Sequence, residues 1–293
     1  MDHIMPEVTF IATFKCTLKC RLCMMGVPYM TPDVQEFSFE EVEKSISRYF
    51  KIVPRVKMVT ISGGEPLLQP RLAEIIHCIK KHESQADGIR MVTNGTLIPE
   101  QRVLDAMKEL GEKFYVIADD YGTKVSKRIV ELDHILTEHQ IRHVIRNYTE
   151  KDTYFGGWID CGDLTKKRHT EEEAERLYKT CVSGCYLVSH GKMWSCAVSH
   201  WRYQLGLDYD ESEYVDLFDD TCSIQEQQSR LCALLEKRSL TACAYCNGFS
   251  TASERFLPAE QLTQEEAKYV CSGARNYKEV QQIMRDEHGG QTS

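Results

Sequence analysis

The 293-residue sequence has no hydrophobic run that approaches the roughly 20 apolar residues needed to span a bilayer. Its first residues, MDHIMPEVTFIATFKC, lack the basic region, apolar region and cleavage site of a secretory signal peptide. We therefore predict a cytoplasmic protein in a reducing compartment, with no membrane partner. Acidic residues outnumber basic ones by 44 to 36, and the net charge of −8 disfavours a nucleic acid as the main partner.

Cysteine, by contrast, is abundant, with 13 residues in the chain. Disulfides are a poor explanation for them in a reducing compartment, so metal ligation or redox chemistry is the better one. The chain is 42% hydrophobic and 27% charged, which is typical of a globular protein. Its length allows one large domain, or one domain with an appendage.

Five β-rich runs alternate with four amphipathic helical patterns up to about residue 147. The first helix should begin at Ser38, which forms a capping-box pattern with Glu41. Regular alternation indicates parallel strands joined by right-handed crossovers, and the continuously apolar runs indicate strands buried on both faces. We predict an α/β fold, either an open sheet or a complete or partial barrel. In both cases the site lies at the carboxyl edge of the strands.

The loops at that edge carry the unusual residues of this half of the chain. They contain Cys16, Cys20 and Cys23 after the first strand, SGGEP at 62–66 after the second, TNG at 93–95 after the third, and ADDYG at 118–122 after the fourth. Because these strands should be parallel, we expect the four loops to meet at one place.

Three thiolates on one short loop can bind three irons of a four-iron cluster and leave the fourth iron open. A zinc site would need a fourth protein ligand, and the residues that follow offer only Asp33. Gly63 and Gly64 would let the backbone approach a ligand closely, while Glu65 accepts hydrogen bonds from an ammonium group. These features suit the binding of an amino acid.

The spacing C-x3-C-x2-C after the first strand, together with G-G-E-P after the second, resembles the radical S-adenosylmethionine (AdoMet) superfamily over roughly residues 7–147. The resemblance implies a partial (β/α)6 TIM-like barrel and a low-potential electron donor of the flavodoxin or ferredoxin type. It assigns a [4Fe-4S] cluster that binds AdoMet to Cys16, Cys20 and Cys23, and contacts with the methionine moiety to Gly63, Gly64 and Glu65.

Three other positions match that family less closely. Asn94 and Asp119 match only by location, on loops that commonly meet the ribose or the substrate. Each is equally well explained as part of a turn. Leu22 departs from the family pattern, which usually has an aromatic residue before the third cysteine.

The regular alternation stops after residue 147. We predict a barrel core at 1–150, a linker or lid at 151–175, a second cysteine-bearing module at 176–255 and a helical tail at 256–293. Within these segments, Thr170 and Glu173 form a second capping-box pattern, and His190 with Gly191 should turn a β-hairpin.

The spacing from Cys181 through Gly191 to Cys196, followed by a C-x2-C pair, resembles the twitch module, a shortened SPASM extension. The resemblance implies a second, auxiliary [4Fe-4S] cluster held by Cys181, Cys196, Cys243 and Cys246. A two-residue turn at 190–191 would place Cys185 opposite Cys196, so Cys185 is an alternative ligand to Cys181. A zinc ribbon half would use the same four ligands.

The segment GGWIDCGDL should hang over the barrel mouth. It contains Cys161, which is a candidate hydrogen donor or an ordinary loop residue. Its aromatic and acidic neighbours, which suit ring stacking and hydroxyl binding, are Tyr154, Trp158, Asp160 and Asp163.

The resemblance implies reductive cleavage of AdoMet and abstraction of a hydrogen atom from a small-molecule or peptide substrate. The size of the chain and its single set of auxiliary-cluster cysteines favour a dehydrogenase of a carbohydrate or aminocyclitol alcohol, with the second cluster as electron acceptor. An epimerase of a glycan or peptide that uses a cysteine as hydrogen donor is the alternative. An iron-sulfur electron-transfer protein and a zinc-stabilised module remain possible from a different class.

Overall fold

The structure is a computed structural model that describes residues 4–149, 153–182 and 184–289. The strands are β1 (Met5–Thr13), β2 (Val56–Gly63), β3 (Ala86–Thr93), β4 (Phe114–Asp120), β5 (His143–Asn147), β6 (Leu187–Ser189), β7 (Lys192–Trp194) and β8 (Tyr214–Asp216). The helices are α1 (Pro32–Gln35), α2 (Phe39–Ile52), α3 (Leu72–Lys80), α4 (Gln101–Glu109), α5 (Ile129–Glu138), α6 (Glu171–Thr180), α7 (Ala197–Gln204), α8 (Ile224–Leu235), α9 (Gln264–Cys271) and α10 (Tyr277–Gly289). None of the helices in the described ranges combines the length and hydropathy that a bilayer crossing requires.

The eight strands of the described residues form one open sheet in the order β5-β4-β3-β2-β1-β6-β7-β8. Neighbouring strands from β1 to β5 are parallel, and β6 pairs in parallel with the other edge of β1. Strands β7 and β8 continue the sheet in antiparallel pairs. The predicted α/β partial barrel is therefore confirmed. The second cysteine-bearing segment joins this sheet through β6, which pairs with β1. The predicted domain boundary at residue 150 lies outside the described residues.

Helix α2 illustrates how the sequence pattern becomes packing. Val42, Ile46 and Tyr49 lie at helical spacing and are buried against the sheet, where Tyr49 meets Phe10 of β1 edge to face at 5.3 Å. Full burial of each aliphatic side chain contributes about 1.5–3 kcal/mol. The Ser38 side chain accepts a hydrogen bond from the backbone N–H of Glu41, so the helix begins where the pattern predicts.

The second capping box and the hairpin are also present as predicted. Thr170 and Glu173 cap α6 reciprocally. The turn residues His190 (φ 47°) and Gly191 (φ 68°) both have the left-handed conformation that a two-residue hairpin turn requires. Pairing stops at Leu187 and Trp194 because β6 and β7 have only three residues each. The expected pairing of position 185 with position 196 across this ladder is therefore not formed.

A buried histidine beneath the hairpin makes stability depend on pH. The Nε2 atom of His200 lies 2.9 Å from Ser189 Oγ and 3.0 Å from Gln204 Nε2, and burial lowers the pKa of His200 to about 3. The unfolded chain takes up this proton below about pH 6.5, whereas the folded chain does not. The contribution of His200 to the free energy of unfolding is therefore present above about pH 6.5. It falls by about 1.4 kcal/mol per pH unit as the pH decreases below that value.

We expect urea unfolding at about pH 7.5 and 5.5 to show a smaller pH dependence in the His200→Asn variant than in the wild type. The exposed His134 on α5 supplies the matched control, His134→Asn. Equal pH dependence in the wild type and the His200→Asn variant would contradict this prediction.

Candidate active site

The cysteine loop after β1 meets the loops after β2, β3 and β4, as predicted. All of them line one cavity of about 460 Å³ at the carboxyl edge of the parallel strands. The predicted site residues on its wall are Cys16, Cys20, Cys23, Gly63, Gly64, Asn94 and Asp119. Because side chains and backbone segments from four loops share this wall, the cavity is the candidate active site.

The three cysteines of this cavity are partly or fully buried, and their thiols are neutral when no metal is bound. Burial raises the pKa of the Cys16 thiol to about 12, and burial also raises the pKa of Cys20 and Cys23. Hydrogen bonds to Cys16 Sγ come from the Leu18 backbone at 3.4 Å and from Asn94 Nδ2 at 3.6 Å. Thiols in such surroundings become thiolates when a metal supplies the opposing positive charge.

The three thiols lie on one short loop and line one cavity of about 460 Å³. In a four-iron cluster, each cysteine binds a different iron, so three thiolates on one loop can hold three irons and leave the fourth open toward the cavity. The residues present therefore fit an iron-sulfur cluster.

The two glycines after β2 allow this loop to pack against the cysteine loop. A Cβ atom at Gly64 would lie 2.4 Å from the Lys15 carbonyl oxygen and 2.7 Å from that of Phe14. Gly63 has φ +145°, and a Cβ atom there would lie 2.0 Å from the Thr13 carbonyl oxygen. The close approach that glycine permits here is thus to the backbone of residues 13–15. Both glycines also face the cavity, as the sequence predicts.

We expect the Gly64→Ala variant to lose about 1–3 kcal/mol of stability and to retain less iron, because the new methyl group meets backbone that cannot move aside. Gly88→Ala is the matched control, since its Cβ atom would meet only the flexible end of Met58, at 2.8 Å. Thermal unfolding and iron analysis check this prediction. Equal results for the two variants would contradict it.

Glu65 connects two loops of the site. Its buried carboxylate accepts hydrogen bonds from Thr93 Oγ1 and the Asn94 backbone, both at 2.9 Å, and from the Leu67 backbone at 3.1 Å. Burial raises the pKa of Glu65 to about 7, although these hydrogen bonds oppose the shift. Glu65 thus positions the loop that carries Asn94, and its direct contact with a ligand ammonium group stays a prediction.

Asn94 forms the turn contact that its position suggests, and its contact with a ribose or substrate stays a prediction. Its side-chain oxygen accepts a hydrogen bond from the Thr96 backbone at 3.1 Å, which is a local turn contact. Its amide nitrogen reaches across to the cysteine loop, where it donates to Thr17 Oγ1 at 3.1 Å and lies near Cys16 Sγ. The turn therefore directs this amide toward the cysteine loop.

Asp119 forms a buried ion pair that the sequence pattern did not reveal. Arg146, near the end of β5, donates to its two carboxylate oxygens at 2.6 and 2.9 Å. Burial raises the pKa of Asp119, and the Arg146 guanidinium opposes that shift. The signal for Arg146 was its place at the carboxyl edge of the fifth strand, where polar residues face the site.

Aromatic side chains form one part of the cavity lining, which we call the aromatic wall. Tyr121 packs against Tyr148 with ring centroids 5.0 Å apart, and Trp158 meets Tyr121 edge to face at 5.6 Å. Tyr154 and Trp158, predicted as lid residues, both line the cavity. The predicted acidic lid residues have partners elsewhere, because Asp160 pairs with Lys278 and Asp163 with Lys166.

A second cavity, of about 230 Å³, contains the other cysteine set. Its walls include the predicted Cys181, Cys196, Cys243 and Cys246, and a fifth thiol, Cys161. The thiol of Cys161 is hydrogen-bonded to Cys246. Cys161 therefore lies on the second cavity and not on the wall of the first, which differs from its predicted place at the barrel mouth.

The alternative ligand Cys185 lies on the first cavity. The strand pairing that would have directed it toward the second set ends two residues away, at position 187. The structure thus places Cys181, and not Cys185, with the second cysteine set.

Solved structures that resemble the chain cover most of its length at low similarity. A structure described as "Native anSMEcpe with bound AdoMet" covers 94% of this chain and 96% of its own, with a TM-score of 0.48 and 15% identity. BtrN in complex with AdoMet and 2-DOIA covers 89% of this chain and 100% of its own, with a TM-score of 0.46 and 15% identity.

Curated relatives match a shorter segment at higher identity. The GTP 3',8-cyclase of Aquifex aeolicus (strain VF5) is 40% identical over 103 residues, which are 34% of this chain and 31% of that protein. GTP 3',8-cyclase 1 of Mycobacterium tuberculosis (strain CDC 1551 / Oshkosh) is 30% identical over 122 residues, which are 40% of this chain and 33% of that protein. The matched segment thus spans about a third of the length of these relatives.

These relatives correct one prediction. The expected activity, a carbohydrate or aminocyclitol dehydrogenase with an epimerase as alternative, is wrong, because the matched relatives are named GTP 3',8-cyclases. The physical basis of that expectation is also weak in the structure. Asp160 and Asp163, which were to bind hydroxyl groups, are not on the described wall of the active-site cavity.

The family comparison covers the part of the chain that builds the first cavity. The family described as "Radical SAM superfamily" matches residues 10–157, about half of the chain. This range includes Cys16, Cys20 and Cys23 and the loops after β2, β3 and β4, whose geometry suits AdoMet and a [4Fe-4S] cluster. The cysteine loop and the parallel sheet agree with this match, and the chain belongs to the radical SAM superfamily.

Proposed function

We propose that the protein is an enzyme that cleaves AdoMet reductively and abstracts a hydrogen atom from a substrate held in the 460 Å³ cavity. The observation that supports it most directly is the shared wall, on which Cys16, Cys20 and Cys23 face the loops after β2 and β3. Cys16, Cys20 and Cys23 would hold a [4Fe-4S] cluster, which would supply the electron for cleavage, and we propose a low-potential flavodoxin or ferredoxin as the electron donor.

The remaining residues of the cavity bind, orient and exclude water. The loop of Gly63 and Gly64 brings backbone atoms to the cavity for the methionine moiety. Asn94 and the Asp119–Arg146 pair supply hydrogen-bonding groups at fixed positions. The aromatic wall keeps water from the reacting atoms and offers ring faces for stacking.

The charges on the cavity wall favour a flat, polar substrate without a large net charge. Arg90 and Arg146 are the cationic side chains on the described part of this wall, and each is paired, Arg90 with Glu7 and Arg146 with Asp119. A polyphosphate needs unpaired cationic side chains to offset its charge. The aromatic wall, in contrast, suits a planar ring, so we propose a substrate with a flat ring and neutral or zwitterionic polar groups.

We further propose that the second cavity holds an auxiliary [4Fe-4S] cluster through Cys181, Cys196, Cys243 and Cys246. All four line the same 230 Å³ cavity, and burial raises the pKa of Cys196 and of Cys243, the latter to about 11. Such thiols need metal to become thiolates. With all four positions taken by cysteine, this cluster has no open iron and is suited to electron transfer.

The activity is tested by anaerobic reconstitution with iron and sulfide, followed by dithionite and AdoMet. We expect 5′-deoxyadenosine to form, and we expect GTP to leave its rate of formation unchanged, because the cavity has no unpaired cationic side chain among the described residues. Absence of 5′-deoxyadenosine in the iron-loaded protein would remove the proposal, and consumption of GTP would overturn the substrate class.

A further inference from the structure

A segment from the far end of the chain lies across the cysteine loop of the active site. We call residues 259–262 the C-terminal strap. Its Gln261 forms a β-bridge with Cys20. On either side of the bridge, the Leu262 backbone donates to the Lys19 carbonyl oxygen at 2.8 Å, and the Arg21 backbone donates to the Glu260 carbonyl oxygen, also at 2.8 Å. The strap therefore aligns with the cysteine loop through backbone contacts on both sides of Cys20.

The side chain of Gln261 is oriented by two backbone groups and reaches the sulfur of Cys20. Its Oε1 accepts a hydrogen bond from the Lys19 backbone at 2.7 Å. Its Nε2 donates to the Ala259 carbonyl oxygen at 2.6 Å and to Cys20 Sγ at 3.2 Å. The opposite amide orientation would place the oxygen against a carbonyl oxygen and a sulfur. The contacts thus determine which amide atom faces the thiol.

The strap is anchored behind this contact by a second set of interactions. Arg21, on the cysteine loop, forms ion pairs with Glu260 of the strap and with Glu266 of α9, the latter at 3.0 Å. Glu266 is buried and also accepts a hydrogen bond from Tyr277 of α10 at 2.9 Å. The Arg21 guanidinium lies over the Tyr277 ring at 5.4 Å. Both C-terminal helices therefore hold the strap in place.

We propose that Gln261 is a positioning residue that donates an N–H···S hydrogen bond to the cluster ligand Cys20 and thereby raises the reduction potential of the AdoMet-binding cluster. This inference rests on the proposed function. Reduction adds negative charge that is shared with the ligand sulfurs, so a donor to sulfur stabilises the reduced cluster more than the oxidised one. Cys20 is 6% exposed, so few waters compete with this donor.

The test is a redox titration followed by electron paramagnetic resonance on the anaerobically reconstituted full chain. The signal that changes when AdoMet is added reports the cluster of Cys20. We expect Gln261→Ala to move its midpoint to a more negative potential. Gln261→Glu should move it further, because a carboxylate of the same size places negative charge beside the sulfur. Gln282→Ala, on the exposed face of α10, is the matched control and should leave the midpoint unchanged.

The possible outcomes separate this inference from the proposed function. Unchanged midpoints in both Gln261 variants, with a full iron content, overturn the role of Gln261 and leave the proposed function standing. Should Gln261→Ala lose the AdoMet-responsive signal and keep the second cluster, the Gln261→Glu midpoint decides, and an unchanged midpoint there overturns the role of Gln261. A wild-type protein without any AdoMet-responsive signal overturns the proposed function itself.

Discussion

Replacing Cys16, Cys20 and Cys23 together with Ala is expected to lower bound iron from about eight to about four per chain and to abolish formation of 5′-deoxyadenosine. Each of these thiols lines the active-site cavity together with the glycine loop after β2. Without these ligands, AdoMet has no open iron to bind. Iron and sulfide analysis, with chromatography of the reaction products, measures both effects.

The control for this variant is Cys78→Ala, which removes a buried thiol on α3 and should keep both the iron and the activity. Continued cleavage of AdoMet by the triple variant, or loss of all iron from both sites, would be incompatible with a first cluster held independently by this loop.

Replacing Cys243 and Cys246 with Ala should have the second largest effect. We expect a loss of about four irons per chain, with AdoMet binding intact and with faster hydrogen exchange over residues 175–250. The reason is that the 230 Å³ cavity lies between α6, α7 and the segment of Cys243, where the proposed metal ligation would take the place of a larger hydrophobic core. Iron analysis and hydrogen exchange check this result. Full occupancy by zinc after anaerobic preparation would contradict an electron-transfer role.

Cys161, the fifth thiol of this cavity, allows a matched pair of variants to test the second cluster. Cys181→Ser should lose the second cluster, whereas Cys161→Ser should keep it, because the proposed ligand set of four cysteines does not include Cys161. Iron content and the electron paramagnetic resonance signal of the second cluster compare the two variants. Loss of the cluster in Cys161→Ser alone would exchange the roles of these two residues.

The substrate could not be predicted because residue types on a loop do not reveal what they contact. Asp160 and Asp163 stand beside Trp158 in the sequence, yet the two carboxylates pair with Lys278 and Lys166 while Trp158 faces the cavity. The wrong expectation of a carbohydrate enzyme follows from this difference. Arg146, which belongs to no motif, instead contributes half of a buried ion pair on the cavity wall.

The sequence by itself determined the features that arise from local spacing. Hydrophobic periodicity predicted the alternation of β1 to β5 with helices, and the spacing of Cys16, Cys20 and Cys23 predicted the family to which the chain belongs. Such patterns are readable because strand and helix periods relate residues that are close along the chain. Only the tertiary structure decided which distant residues share a site. Gln261 meets Cys20 across 241 positions, and Cys161 joins the second cysteine set, because these contacts depend on how the strap and the loops pack on the sheet.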